Sequence, residues 1–169
     1  MAKELATAAF KKGQQVVYPL QGVGCIEDIE KRPFKGEMVS YYVIYFAVSD
    51  MVIRIPVETA KKQGIRAIVP PSNSKKALEI VAGDYEPVPT DWKLRYQMNL
   101  DLLRKGEVTD IATVVTKLYH RSKVKELPIL ERKLYDSALH LLIDELAYSM
   151  DKKKDEVERL IFTKLEAKE

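Results

Sequence analysis

Apolar residues come in short, dense stretches over the first third of the chain and recur at three- and four-residue spacing over the second half. Between Lys12 and Ile55 the stretches are rich in β-branched and aromatic residues and are broken by Gly, Pro and charged pairs, the composition of strands and turns. Gln15-Val-Val-Tyr18 runs into Pro19, and Gln21-Gly-Val-Gly24 punctuates the chain before Cys25 to Glu30. Lys35-Gly36-Glu37 predicts a hairpin turn, because Gly36 takes a positive φ without steric penalty. In the stretch that follows, Tyr42, Ile44 and Phe46 alternate with Tyr41, Val43 and Tyr45, so both faces are apolar. Such a strand is expected to be covered on both sides or curled into a small barrel. Ser49-Asp50 turns it into Met51 to Ile55, which puts Val52 and Arg54 on one face and Met51, Ile53 and Ile55 on the core face. Cys25 reads as a small core residue.

Pro56 ends the strands, and Val57 to Gln63 predicts a short helical piece closed by Gly64. After Pro70-Pro71, the side chains of Ser72, Asn73 and Ser74 offer cap oxygens for a helix running to Ala82, with Gly83 just past its end. Residues 84–90 hold two prolines and no period, which marks a linker. Everything after Thr90 reads as helix. Asp91 caps a helix that ends before Gly106. Ile111, Val114, Val115, Leu118 and Tyr119 form the apolar stripe of a second. Pro128 suits the start of a third, with Leu134, Ala138, Leu141, Leu142 and Leu146 inward. Asp151 is expected to cap a last helix carrying Val157, Leu160, Ile161 and Leu165. Four short-looped helices imply a small bundle. The expected class is α+β: a β-rich domain over residues 1–70, a helix and Pro-containing linker over 71–90, and a helical domain over 91–169.

Composition narrows the function classes. The 169 residues are 46% apolar and 31% charged, a globular balance. The longest uncharged apolar stretches are half of what a membrane helix needs. The start of the chain has no basic head followed by an apolar run, so no signal peptide is expected and the location is expected to be cytoplasmic. A lone Cys25 excludes an intramolecular disulfide and a multi-Cys metal site, and two histidines leave little for metal ligation. No metal or cofactor is expected. No nucleophile–base–acid set is found, so catalysis is not expected either. Gly22-Val-Gly24 precedes a strand and lacks a following Gly-Lys-Ser/Thr, so it is not a phosphate loop.

The formal charge of +3 hides an asymmetry. Residues 91–133 hold ten Lys and Arg against six acids, a balance of +4, while residues 134–169 hold six against nine, a balance of −3. A basic stretch of this kind can track phosphates, and it reads equally as an ordinary solvated surface. Trp92, the single tryptophan, sits at a helix start among Asp91, Lys93 and Arg95. There it can stack on or wedge between bases, with the free helix N–H groups near phosphate; alternatively it packs against the bundle or the other domain. Arg54 interrupts an apolar strand near Pro56, and an exposed edge strand with an Arg anchor can accept a protein partner. His120, next to Arg121, can contact a phosphate but reads first as a polar helix-end residue, His140 reads as a surface or boundary residue, and Asp144-Glu145 and Glu156/Glu158 read as solvated helix faces.

These residues, taken in order, resemble the CarD/CdnL family of bacterial transcription regulators over essentially the whole chain. The matching segments are Gly13-Gln-Gln-Val-Val-Tyr-Pro19 with Gln21-Gly22, Ile29 to Glu37, and Val52-Ile-Arg-Ile-Pro56. In the helical half they are Asp91-Trp-Lys-Leu-Arg-Tyr96 with Asn99-Leu100, and Glu131-Arg-Lys-Leu134 followed by Ala138 and Glu145-Leu-Ala147. The resemblance implies a Tudor-like N-terminal domain that binds the RNA polymerase β subunit, with Arg32, Val52, Arg54 and Pro56 at the contact. It implies a helical C-terminal domain that meets promoter DNA at the upstream edge of the bubble. Trp92 falls on the position of the minor-groove wedge, and Lys93, Arg95, Arg121 and Arg132 fall on or beside basic positions facing the DNA backbone. Leu94 and Gln97 stand where relatives often carry Arg or Lys. The implied activity is stabilisation of the open promoter complex. A sequence-specific DNA-binding repressor and a protein-interaction adaptor without DNA contact remain alternatives.

Overall fold

Among the described residues, five antiparallel strands make the first part of the protein: β1 (Gln15–Tyr18), β2 (Gly22–Phe34), β3 (Glu37–Phe46), β4 (Met51–Pro56) and β5 (Arg66–Ala67). The computed structural model describes residues 9–168, which divide into two compact units between Ala67 and Ile68. The stretch read for a signal peptide begins in residues 1–8, outside the described residues.

The sheet order is β4-β3-β2-β1-β5, with β4 outermost at one end. A two-residue loop joins β2 to β3, with Phe34 opposite Glu37. Lys35 and Gly36 both take positive φ there, 48° and 79°, the type I′ geometry whose twist matches the strands. One face of the sheet buries Val16, Ile26, Tyr42, Ile44, Phe46 and Ile55, joined by Ala60 from the short helix α1 (Val57–Ala60) and by Ile65. Gly24 serves that core by its missing side chain: a Cβ would stand 2.6 Å from Ile44 Cγ2 and 2.8 Å from Phe46 Cε1. Two expectations change here. Met51 is exposed, because it is the first residue of β4, opposite the last residue of β3. Cys25 is only half-buried and pairs with Tyr45 on the face opposite the core.

The second unit contains α2 (Pro71–Ala82), α3 (Trp92–Lys105), α4 (Val108–Val124), α5 (Ile129–Met150) and α6 (Lys154–Glu166). The α4 stripe of Ile111, Val114, Val115 and Leu118 is buried as its spacing predicts, and it shares one core with Leu134, Ala138, Leu142 and Leu146 of α5. Ala77, Leu78 and Val81 of α2 enter the same core, and α2 packs on α4, α5 and α6. The helix expected ahead of the Pro-containing linker within 71–90 packs within the helical unit. Its N-terminal geometry differs from expectation: Pro71 is the first helical residue, Pro70 is the N-cap, and no side chain caps it. The reason is that Pro carries a fixed helical φ and needs no hydrogen-bond partner for its nitrogen. Gly83 ends α2 in extended conformation, not left-handed.

At α3 the local signals hold. Asp91 Oδ1 accepts the Lys93 N–H at 3.0 Å, and Gly106 ends the helix at φ 74°. Asp151 does not cap α6. It ends α5 in the left-handed region at φ 51°, which a short polar side chain tolerates, and α6 starts after Lys153 without a side-chain cap. Asp144 and Glu145 are buried, not solvated. Glu145 Oε2 accepts the Val69 N–H at 3.1 Å, and Asp144 pairs with Lys154 Nζ at 3.1 Å. Among the described residues no helix is long and apolar enough to cross a membrane.

Candidate functional site

Strand register gathers the first group of candidate residues. Across β2, β3 and β4, Asp28 lies opposite Val43 and Val43 opposite Arg54. Glu30 lies opposite Tyr41 and Tyr41 opposite Pro56, while Cys25, Tyr45 and Val52 form a third row. A β-bulge at Glu27 keeps Cys25 and Asp28 on the same side. Since side chains alternate along a strand, Arg32, Val52, Arg54 and Pro56 all project from the sheet face opposite the core. Val52 and Arg54 are exposed, as the alternation of Met51 to Ile55 predicts. Glu30 Oε2 lies 3.0 Å from Arg32 Nε and 3.3 Å from Arg54 Nε. Two cations thus share one carboxylate beside the exposed Val52. At its margin, Tyr45 donates to Asp50 Oδ1 at 2.9 Å; this bond to a carboxylate, then its charge, pushes the phenol pKa up. Phe34 and Met38 are exposed around the tip of the β2–β3 hairpin, two apolar positions that the sequence reading did not single out.

The second group divides. Trp92 is half-buried at the first position of α3, and Lys93 beside it is exposed. Arg95, expected at the DNA backbone, is 3% exposed. Its Nε and Nη2 meet the two oxygens of Glu131 at 2.7 and 2.5 Å, and its Nη1 donates to the Pro89 carbonyl at 2.8 Å, with Thr90 O at 3.4 Å. Its donors are turned inward, away from solvent, so Arg95 is corrected from phosphate contact to internal tie. Position 95 lies one turn along α3 from the cap, and that turn faces α5. The helix start is likewise a poorer anion site than expected, since the Asp91 carboxylate already takes the Lys93 N–H and places a negative charge there.

Arg121 and Arg132 flank the connection from α4 to α5, residues 125–128. Arg121 is half-buried in the last turn of α4. Arg132 is exposed, 3.7 Å from Asp136 and over the Tyr135 ring at 5.7 Å. Glu131 ties the start of α3, which carries Trp92 and Lys93, to the first turn of α5, where Arg132 follows it. Leu94, Val124, Ile129 and Leu130 are exposed on these same segments, giving them a mixed basic and apolar character. Isolated apolar residues on an exposed helix face carry no period, so the sequence pattern did not flag them. His120 also departs from expectation: it is buried, and its ring stacks on Tyr85 with centroids 4.2 Å apart and planes at 9°. Tyr85 belongs to the proline-containing segment 84–90, which is thereby laid on α4. Among the described residues no cluster of His, Cys, Asp and Glu could hold a metal ion.

Comparison with known proteins covers both units. Residues 10–69 match the model of the CarD-like/TRCF RID domain, which is Tudor-like, and residues 76–162 match the model of the CarD C-terminal domain. A Bacillus subtilis (strain 168) protein named "Putative transcription factor YdeB" is 35% identical over 137 residues, covering 81% of this chain and 90% of that protein.

Proposed function

The chain belongs to the CarD family, and from that premise we propose that it regulates transcription by holding on to RNA polymerase while contacting promoter DNA. The outer face of the sheet, with Arg32, Val52, Arg54 and Pro56, binds the polymerase β subunit. Trp92 enters the minor groove at the upstream edge of the bubble, and Lys93, Arg121 and Arg132 lie along the DNA backbone. The protein acts in the cytoplasm, on the nucleoid through polymerase.

The observation that carries the reading is the convergence of Arg32, Val52, Arg54 and Pro56 on one sheet face, the last three on the outermost strand β4. An Arg anchor next to exposed apolar surface is a common centre of a protein interface, and an outer strand can extend its sheet with a partner's strand. The DNA end carries few cations, so its contacts are individually weak and tolerant of sequence. Tethering to polymerase raises the local DNA concentration enough for weak contacts to count. A wedge that binds the melted fork better than closed duplex then shifts the closed–open equilibrium by its differential affinity alone.

A pull-down with the polymerase β lobe tests the reading. Wild type is retained and Arg54→Glu is not, while circular dichroism shows the variant folded. Equal retention of a folded Arg54→Glu variant would overturn the docking face.

A further inference from the structure

We infer that Arg95 and Glu131 form a positioning clamp for Trp92, setting the orientation of the side chain that meets DNA without touching DNA themselves. This rests on the reading of Trp92 given above, and it assigns to Arg95 a role opposite to that of a backbone contact.

One guanidinium ties three pieces of chain. Through Nε and Nη2 it grips both oxygens of Glu131, in the first turn of α5. Through Nη1 it reaches the carbonyls of Pro89 and Thr90, the residues just before the helix cap. Trp92 lies between these two attachments, two residues after Thr90 and three before Arg95. The Asp91 carboxylate fixes the intervening step by accepting the Lys93 N–H. The backbone that carries Trp92 is thus anchored on both sides and capped between. A planar guanidinium with five donors in a fixed fork suits this work, and a Lys ammonium does not.

The burial of the pair argues in the same direction. With Arg95 3% and Glu131 0% exposed, both charges have left water, and two apolar residues of similar volume would hold the helices together about as well. What apolar residues cannot supply is a donor for the Pro89 and Thr90 carbonyls. The distinctive contribution of Arg95 is therefore to the path of the chain into α3. That path decides where the Trp92 ring stands relative to Lys93 and Arg132.

The test separates clamp from scaffold in the full-length protein. In Arg95→Met/Glu131→Met the helical packing survives, shown by an unchanged melting temperature. Trp92, the single tryptophan, then reports its own mobility without DNA: its fluorescence anisotropy falls and acrylamide quenches it more strongly. The open-complex lifetime drops to that of Trp92→Ala, with binding to the β lobe intact. Should the double variant melt early, Glu131→Gln supplies the same measurements, because it keeps volume and Arg95's bonds to Pro89 and Thr90 while weakening the grip on α5; anisotropy then lies between wild type and the lower value of Arg95→Lys. Unchanged anisotropy and quenching in these variants, once folded, overturn the clamp. So does a full open-complex lifetime in a folded clamp variant when Trp92→Ala shortens it. If Trp92→Ala itself leaves the lifetime unchanged, the DNA reading of Trp92 fails, while loss of anisotropy still supports the clamp as a local device.

Discussion

Arg32 and Arg54 converge on a single oxygen of Glu30, at 3.0 and 3.3 Å. One carboxylate therefore holds cations from β2 and β4 over the same patch and masks part of the charge that an acidic partner would meet. Glu30→Gln keeps the volume and removes the competitor. Binding to a polymerase β fragment is expected to tighten by about two- to fivefold at moderate salt, the worth of an exposed ion pair. The gain should shrink as salt screens the patch. Isothermal titration at two salt concentrations measures both effects; weaker binding would mean that Glu30 orients the arginines and does not compete for them.

Trp92 is half-buried, and its loss leaves Asp91's cap and Arg95's tie in place. Trp92→Ala is expected to lower stability by no more than about 1–2 kcal/mol, less than a fully buried aromatic. If the ring favours the melted fork by about 1.4 kcal/mol, the open complex loses about tenfold in lifetime. Filter-binding decay of open complexes after competitor challenge reads this directly, with β-lobe binding as the control. A normal decay rate would remove Trp92 from the DNA contact.

Gly24 and Gly36 are both small by necessity, for different reasons. At Gly24 an added methyl meets Ile44 and Phe46 inside van der Waals distance, so Gly24→Ala is expected to cost about 1–3 kcal/mol through overpacking. At Gly36 nothing lies within 4 Å, but φ is 79°, so Gly36→Ala is expected to cost about 1 kcal/mol through the backbone alone. Urea denaturation compares the two. The further change Ile44→Ala, which removes the Cγ2 that the new methyl meets, should cost less in Gly24→Ala than in wild type and cost the same in Gly36→Ala as in wild type, since space is the problem only at the first.

Features written in neighbouring residues were legible before the structure. The Lys35-Gly36 turn, the Asp91 cap, the Gly106 stop and the outward parity of Val52 and Arg54 each depend on a few adjacent positions and a fixed period. Features that depend on a distant partner were not. A periodicity argument sends Arg95, Glu131 and Glu145 to solvent because each is charged; what buries them is a partner 36 residues away for the pair, and the Val69 N–H 76 residues away for Glu145. The packing of α2 was not legible for a related reason. Pro70-Pro71 breaks the chain locally, yet Ala77, Leu78 and Val81 find their core in α4 to α6. Asp151 shows the remaining weakness: the same short polar side chain that caps a helix start also tolerates the left-handed end of the previous one.

Tyr135 makes the stability of the helical unit depend on alkaline pH. It lies within the α5 core, and burial pushes its phenol from the ordinary 10.0 up to about 12, with the Arg132 charge lowering and the Asp136 charge raising it. In the unfolded chain the phenol ionises near its ordinary value, while the folded protein keeps the proton longer. Between about pH 10 and 12 the unfolded state therefore binds fewer protons, and stability falls as pH rises through that window. Below the unfolded value both states are protonated and the contribution is fully present. Tyr135→Phe has no proton to lose. The difference in unfolding free energy, wild type minus Tyr135→Phe, is expected to be flat below pH 10 and to decline by up to about 2 kcal/mol by pH 12. Lysines titrating in the same range are common to both proteins and cancel in the difference. Urea denaturation at half-unit pH steps checks the slope, and a flat difference across the window would mean that water reaches the Tyr135 hydroxyl in the folded state.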